Sequence, residues 1–242
     1  MVRRSPPKRC RGIPLACACS RTMADHAEGQ VLEKLAELRA AVAAYTRETG
    51  RTPQFILGPD MHPITIPSTR LARCQMLSCR EELIDEMPDQ GHVAEVGTQT
   101  GRFAHFILSR RANVRLFTID MDYSQFAWEP LQPLIQTGRL QTIEGISWAE
   151  LARFPESFFS WIYVDASHAL ENVRRDLAVA RTRVAVGGYL VCNDYTIWSP
   201  FEATPYGVMQ AVNELVTQHD FDVTHFALHP FGYHDIALCR RS

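Results

Sequence analysis

From His92 onward, short apolar runs alternate with stretches of helical periodicity, and this alternation constrains the fold more than any other feature of the chain. Strands are expected at His92–Val96, Val114–Asp120, Gln141–Glu144, Phe159–Asp165 and Tyr189–Asn193. Helices are expected between and after them at Arg102–Arg111, Ser124–Ile135, Ser147–Phe154, Ala169–Val184 and Tyr206–His219, the second interrupted by Pro130 and Pro133. Repeated βα units of this kind give a parallel sheet covered by helices, an α/β architecture. The end breaks the pattern: Asp222–Leu228 and Asp235–Arg240 flank a turn-like His229-Pro-Phe-Gly232 and read as an antiparallel hairpin, for seven strands in all.

The region before His92 has a different texture. Val31, Leu32, Leu35, Leu38, Val42 and Tyr45 recur at helical spacing and the pattern stops at Gly50. Arg51 to Ser68 holds four prolines and a glycine and is expected to be a surface loop. A second helix is expected over Thr69–Met87, with Leu71, Cys74, Leu77 and Ile84 toward the core. The expected organisation is a basic leader at 1–25, a helical extension or cap at 26–90, and an α/β domain at 91–242.

Charge and cysteine usage exclude several classes. Arg3, Arg4, Lys8, Arg9, Arg11 and Arg21 all precede the first acid, so the net charge of −2 leaves a body at −8. An acidic body argues against a nucleic-acid partner, whose phosphates need clustered Lys and Arg. The seven cysteines are odd in number and irregularly spaced, which opposes a disulfide framework, and none pairs at zinc spacing. No apolar run reaches the roughly 18 residues of a membrane span. The leader lacks the apolar stretch of a secretory signal, and Met23 offers a second start. A soluble, cytoplasmic protein is expected, with no membrane partner and with room for homo-oligomerisation through the helical extension.

Four motifs carry chemistry. Glu95-Val-Gly97-Thr98-Gln99-Thr-Gly101 falls where a strand turns into a helix, and glycine there lets the backbone bend and a ligand approach. The spacing differs from that of a dinucleotide fingerprint, and Glu95 would repel a pyrophosphate while suiting a cationic amino acid moiety. Asp120, followed by Met121, ends the next strand about 20 residues on, where a carboxylate can accept ribose hydroxyls; Asp122 competes for the role. Tyr163-Val-Asp165-Ala-Ser-His168 and Leu190-Val-Cys-Asn193-Asp194-Tyr195 end neighbouring parallel strands. Asp165, Asn193 and Asp194 therefore meet on one edge of the sheet as three oxygen ligands of the hard type that magnesium takes.

Together these elements resemble the class I S-adenosylmethionine-dependent methyltransferases, with the Rossmann-like doubly wound fold. Within them the chain resembles the metal-dependent O-methyltransferases of the catechol and caffeoyl-CoA type, and equally the bacterial group of macrocin O-methyltransferases and cephalosporin hydroxylase-like proteins. The likeness runs from His92 to Arg240 and is most specific in EVGTQTGRFA and VDASHALENVRRDL…GGYLVCNDY. The resemblance implies that Glu95 to Gly101 hold the methionine part of S-adenosylmethionine, that Asp120 holds the ribose, and that Gly145, Ile146 and Ser147 line the adenine. It implies a divalent metal, Mg2+, on Asp165, Asn193 and Asp194. Two departures stand out: the strand end reads Asn-Asp rather than Asp-Asn or Asp-Asp, and His168 occupies the position of a lysine general base. With a reference pKa near 6.5, His168 is a candidate base beside Asp165.

The expected reaction is methyl transfer to a hydroxyl of a small molecule, such as a natural product, a sugar or a phenol. Trp198, Phe201, Tyr206 and Phe231 are candidates for an apolar acceptor pocket. A metal-independent methyltransferase, in which Asn193-Asp194 is only a turn, is the alternative enzyme. A noncatalytic partner subunit of the same fold is the alternative outside enzymes, and an NAD-dependent oxidoreductase comes third.

Overall fold

A computed structural model describes residues 21–58, 61–62 and 64–242. The leader to residue 20, with Cys10, Cys17 and Cys19, lies outside the described residues, as do Pro59 and Pro63. The chain divides into two compact units, one ending at Gln54 and the other spanning Phe55–Ser242. The α/β unit therefore begins well before the expected boundary at 90/91.

The first unit holds helix α1 (Arg21–Thr49). It starts earlier than expected, so residues 21–25 belong to a helix rather than to the leader. It ends as the sequence indicated, with Gly50 in the left-handed conformation at φ +65° and its N–H on Thr46 O at 2.9 Å. Val31, Leu32, Leu35 and Leu38 are exposed along it.

The second unit is an eight-stranded sheet. Its strands are β1 (Gln75–Leu77), β2 (Gly91–Val96), β3 (Val114–Asp120), β4 (Leu140–Glu144), β5 (Phe159–Val164), β6 (Val184–Cys192), β9 (Phe221–Ala227) and β10 (Asp235–Arg240). A separate two-residue pairing of β7 (Trp198–Ser199) with β8 (Thr204–Pro205) precedes the last helix. The order across the sheet is β1-β9-β10-β6-β5-β2-β3-β4. Strands β2 to β6 run parallel, and β10 lies antiparallel between β6 and β9. The seven expected strands are all present, and all but β6 lie within one residue of their expected bounds; β6 starts five residues early, at Val184.

The eighth strand corrects the expected helix over Thr69–Met87. That segment is α2 (Ser68–Leu71), β1 and α3 (Arg80–Glu86). Gln75, Met76 and Leu77 pair in parallel with His225, Phe226 and Ala227, so local helical preference yields to ladder bonds on a sheet edge. The restart of the helix had a signal in the acids after Ser78: the Ser78 N–H donates to Glu82 Oε2 at 2.9 Å, so a carboxylate of the first turn satisfies a backbone donor at the helix start. Leu77 and Ile84 join the core as expected, whereas Leu71 is exposed.

Helices α4 (Arg102–Arg110), α5 (Trp128–Gln136), α6 (Ser147–Leu151), α7 (Leu170–Arg183) and α8 (Val208–Gln218) complete the unit. α5 is not interrupted by its prolines. Pro130 falls in the first turn, where an N–H has no helical partner, and only Pro133 lies inside. α7 buries Val173, Leu177 and Ala180 against the sheet. Two apolar clusters result, one around Ile162, Leu190 and Val212 and the other around Leu116, Trp161 and Tyr163. Among the described residues no helix is long and apolar enough to cross a membrane. Cys74, Cys79, Cys192 and Cys239 are all free.

Strand order decides where a ligand goes. The chain leaves β2 toward β3 and β4 on one side, then crosses to β5 and β6 on the other, so the order reverses between β2 and β5. In a parallel sheet such a switch point opens a crevice beyond the carboxyl ends of the two strands.

Candidate active site

A cavity of about 1020 Å³ fills that crevice, large enough for a nucleoside-sized cofactor. All the residues expected to bind the cofactor except Gly101 line it: Glu95, Gly97, Thr98 and Gln99 on the loop, Asp120 and Met121 at the end of β3, Gly145, Ile146 and Ser147 after β4, and Asp165 after β5, with His168 beside it. Gly101 itself turns away from the cavity into the core.

The loop's conformation explains its glycines. Gly97 and Gly101 have φ of +83° and +73°, and Gln99 shares the left-handed region at +45°. A Cβ on Gly97 would lie 2.0 Å from Asp165 O, so this glycine lets β2 and β5 close at the base of the crevice. A Cβ on Gly101 would meet Phe126 at 2.5 Å and Leu131 at 2.8 Å. Gly101 thus serves close packing of the loop on α5 rather than space for a ligand.

Asp120 does more than the sequence suggested. Its Oδ2 accepts the N–H groups of Thr98 and Gln99 at 2.8 and 2.7 Å, and its Oδ1 accepts that of Asp122 at 3.1 Å. One carboxylate thus holds the glycine loop in shape. Asp122 is occupied in a turn, accepting from Ser124 N and Oγ.

Glu95 is buried behind the loop and accepts the Thr98 hydroxyl at 2.5 Å. Burial, reinforced by Asp120 and opposed by Thr98 and Arg80, pushes its pKa up to about 8. Met121 and Ile146, after the neighbouring strands β3 and β4, are 69% and 48% exposed and form an apolar pair on the rim of the cavity. The Ser147 hydroxyl donates to Asp176 on α7 at 2.5 Å. Asp176, buried with its pKa raised to about 6 by that burial, was not foreseen from sequence.

At the other end of the cavity, ligand atoms of Asp165, His168 and Asp194 lie within 4.8 Å of one another. His168 Nε2 is 3.2 Å from Asp194 Oδ2 and 4.0 Å from Asp165 Oδ1, yet it is buried without a hydrogen bond. Stacking on Tyr206, with ring centroids 4.1 Å apart and planes at 8°, fixes the imidazole. Asp194 takes the left-handed conformation, φ +54°, which brings it to this cluster. Burial and then the neighbouring Asp194 and Asp235 push the Asp165 pKa well above the usual carboxylate range. For His168 burial works downward, but the nearby Asp194, Asp165 and Glu202 outweigh it and the net shift is upward.

Asn193 is placed differently. Its amide nitrogen donates to Asp235 Oδ1 at 3.0 Å, and Asp235 Oδ2 accepts the Tyr163 hydroxyl at 2.7 Å. That bond engages the amide nitrogen of Asn193, while Asp165, His168 and Asp194 bring their own ligand atoms together. Arg80, which sequence reading placed inside a helix without a role, lies 4.6 Å over the Phe103 ring and lines this cavity.

Arg80 also lines a second recess of about 300 Å³ beyond Asp194, with Asn193, Phe201, Glu202, Tyr206, His229 and Tyr233. Phe201 and Tyr206 are thus where an acceptor pocket was expected. Phe231 lies edge-on to Phe201 at 5.4 Å behind it, and Trp198 does not line the recess.

Residues 94–195 match the family model of a methyltransferase domain. Over that segment the chain is similar to a methyltransferase domain, and it shares its fold with solved methyltransferases. The matched segment runs from β2 through the end of β6, so it contains both the glycine loop and the Asp165–His168–Asp194 cluster. Among solved structures it is similar to the pyocyanin biosynthetic protein PhzM, at TM-score 0.51 and 18% identity over 66% of this chain and 53% of that one. An O-methyltransferase family protein from Burkholderia thailandensis gives TM-score 0.50 and 11% identity over 67% of this chain and 55% of that one. Geranyl diphosphate C-methyltransferase from Streptomyces coelicolor A3(2), solved with Mg2+, geranyl diphosphate and S-adenosyl-L-homocysteine, gives 0.51 and 11% over 66% and 79%. The chain spans about half the length of the first two, and what it shares with all three is the fold. No curated protein matches the chain in sequence.

Proposed function

We propose that this methyltransferase domain transfers a methyl group from S-adenosylmethionine to a hydroxyl of a small molecule, with a divalent cation held by the cluster at the end of the cavity. One observation carries the reading: the cavity runs unbroken from the glycine loop to Asp165 and His168, and Asp194 then opens onto the aromatic recess. Cofactor and acceptor would meet where the two spaces adjoin.

The residues fit the cofactor. Buried Glu95 behind the loop suits a cationic amino acid group, Asp120 Oδ1 a ribose hydroxyl, and Met121 with Ile146 the faces of a base. They also fit a cation, since two carboxylates and an imidazole nitrogen without a hydrogen bond converge on one point. When bound, the cofactor supplies an electrophilic sulfonium methyl, and the cation supplies positive charge that lowers a hydroxyl's pKa.

The protein's part is positioning. The loop held by Asp120 fixes the donor, the recess lined by Phe201 and Tyr206 holds the acceptor, and the cluster between them orients the reacting oxygen. In the transfer the acceptor O–H bond breaks, its proton passes to the basic groups of the site, the oxygen–methyl bond forms, and the sulfur–methyl bond breaks to leave a neutral thioether.

The His168–Asp194 approach at 3.2 Å favours a second reading, in which the pair acts without metal. Tritiated S-adenosylmethionine offered with catechol, sugar and macrolide acceptors separates the two. Label transfer abolished by a chelator and restored by a divalent ion supports the cation reading, and full transfer after chelation supports the metal-independent one. Failure of calorimetry to detect S-adenosylmethionine binding would remove both.

A further inference from the structure

We infer that His168 is a ligand of the cation, and that its nitrogen turns the site from a magnesium-type to a manganese- or cobalt-type site. The inference rests on the cation reading above and concerns which ion the site selects.

The donor set is the first ground. Three oxygens from Asp165, Asn193 and Asp194 would make a hard site. The geometry adds the His168 imidazole to Asp165 and Asp194, the ligand atoms of all three lying within 4.8 Å of one another, while the Asn193 amide nitrogen donates to Asp235. Two carboxylates and one imidazole suit Mn2+, Fe2+, Co2+ or Zn2+, whereas Mg2+ prefers oxygen donors and keeps its waters.

The second ground is the state of the imidazole. Nε2 is shielded from solvent and faces two carboxylates, but has no hydrogen bond. A buried polar atom left this way costs stability unless something binds it. A hydrogen-bonded base would have its donor aligned on a carboxylate oxygen. Here the ring is held by the Tyr206 face, and the His168 carbonyl is anchored by the Gly207 N–H at 2.7 Å. Backbone and ring are thus both fixed, with Nε2 beside the two carboxylates. On this reading the lone pair serves the ion, and His168 acts as a ligand rather than as the general base.

The test uses the full-length protein without cofactor. Mn2+, Co2+ and Mg2+ are titrated by calorimetry into wild type and His168→Asn, and the Mn2+ forms are examined by electron spin echo for modulation from a coordinated imidazole 14N. Wild type should bind Mn2+ and Co2+ about tenfold or more tighter than Mg2+ and show nitrogen modulation. In His168→Asn the modulation should vanish and the margin over Mg2+ should shrink by about tenfold, with an unchanged circular dichroism spectrum as the check on folding. Nitrogen modulation absent from the wild type, or a selectivity margin equal in the two proteins, would overturn the assignment while leaving the cation reading standing. Absence of binding by all three ions would refute both, with S-adenosylmethionine binding still reporting on the cofactor site.

Discussion

Cofactor binding at pH 7 should release close to one proton, and the proton should come from Glu95. This carboxyl is buried behind the glycine loop with its pKa at about 8, because desolvation outweighs the Thr98 hydrogen bond and the charge of Arg80. At pH 7 a group with that pKa is protonated about nine times in ten. The cationic amino group of S-adenosylmethionine brings a charge that favours the carboxylate, so binding expels the proton. The sign follows: protons compete with the cofactor, so affinity rises as pH rises, by about tenfold between pH 6 and 7, and levels off above about 8. Calorimetry at pH 7 in phosphate and in Tris, whose ionisation enthalpies differ, measures the protons released directly. Glu95→Gln should flatten the pH profile and remove most of the release. A binding enthalpy independent of buffer, with affinity constant from pH 6 to 8, would refute the placement of the amino group at Glu95.

Gly101→Val should lower stability by at least about 2 kcal/mol, since its Cβ would meet Phe126 and Leu131 at a left-handed φ; a melting temperature within 1 °C or so of wild type would contradict the packing. Asp120→Ala removes the acceptor of two loop N–H groups and should weaken S-adenosylmethionine binding by about 1.5–3 kcal/mol, roughly ten- to a hundredfold. Equal affinity by calorimetry would show that the loop holds its shape without that carboxylate. Glu95, Asp235 and Asp176 have folded-state pKa values raised to about 8, 7 and 6, so the folded protein keeps protons that the unfolded chain has lost. Their contribution to stability is present in acid and is lost as pH rises through about 6 to 8, and the urea midpoint should fall between pH 6 and 8.5; a midpoint that rises instead would contradict their burial.

The repeated βα units, the antiparallel hairpin and the cofactor loop were legible in sequence because each has a short-range cause. Parallel strands covered on both faces read as runs such as Val-Arg-Leu-Phe-Thr-Ile before Asp120, and glycine marks where backbone must turn. Once the strand ends were placed, topology brought Glu95, Asp120, Gly145 and Asp165 to one edge, so the cofactor cavity was legible too. What only the tertiary structure decided depends on partners distant in the chain. Residues 75–77 are helical by local preference and become a strand because β9 offers an open edge about 150 residues later. Gly101 reads as a ligand glycine until Phe126 and Leu131 are seen against it. The Asn193-Asp194 pair shows the difference most sharply: both residues sit at a strand end and both are plausible ligands by type. Asp235, on the antiparallel strand beside them, takes the Asn193 amide, while a left-handed backbone at Asp194 sends the other side chain to Asp165 and His168. A sequence can name the donors available at a strand end, but which of them face one point is set by backbone angles and by hydrogen bonds to neighbouring strands.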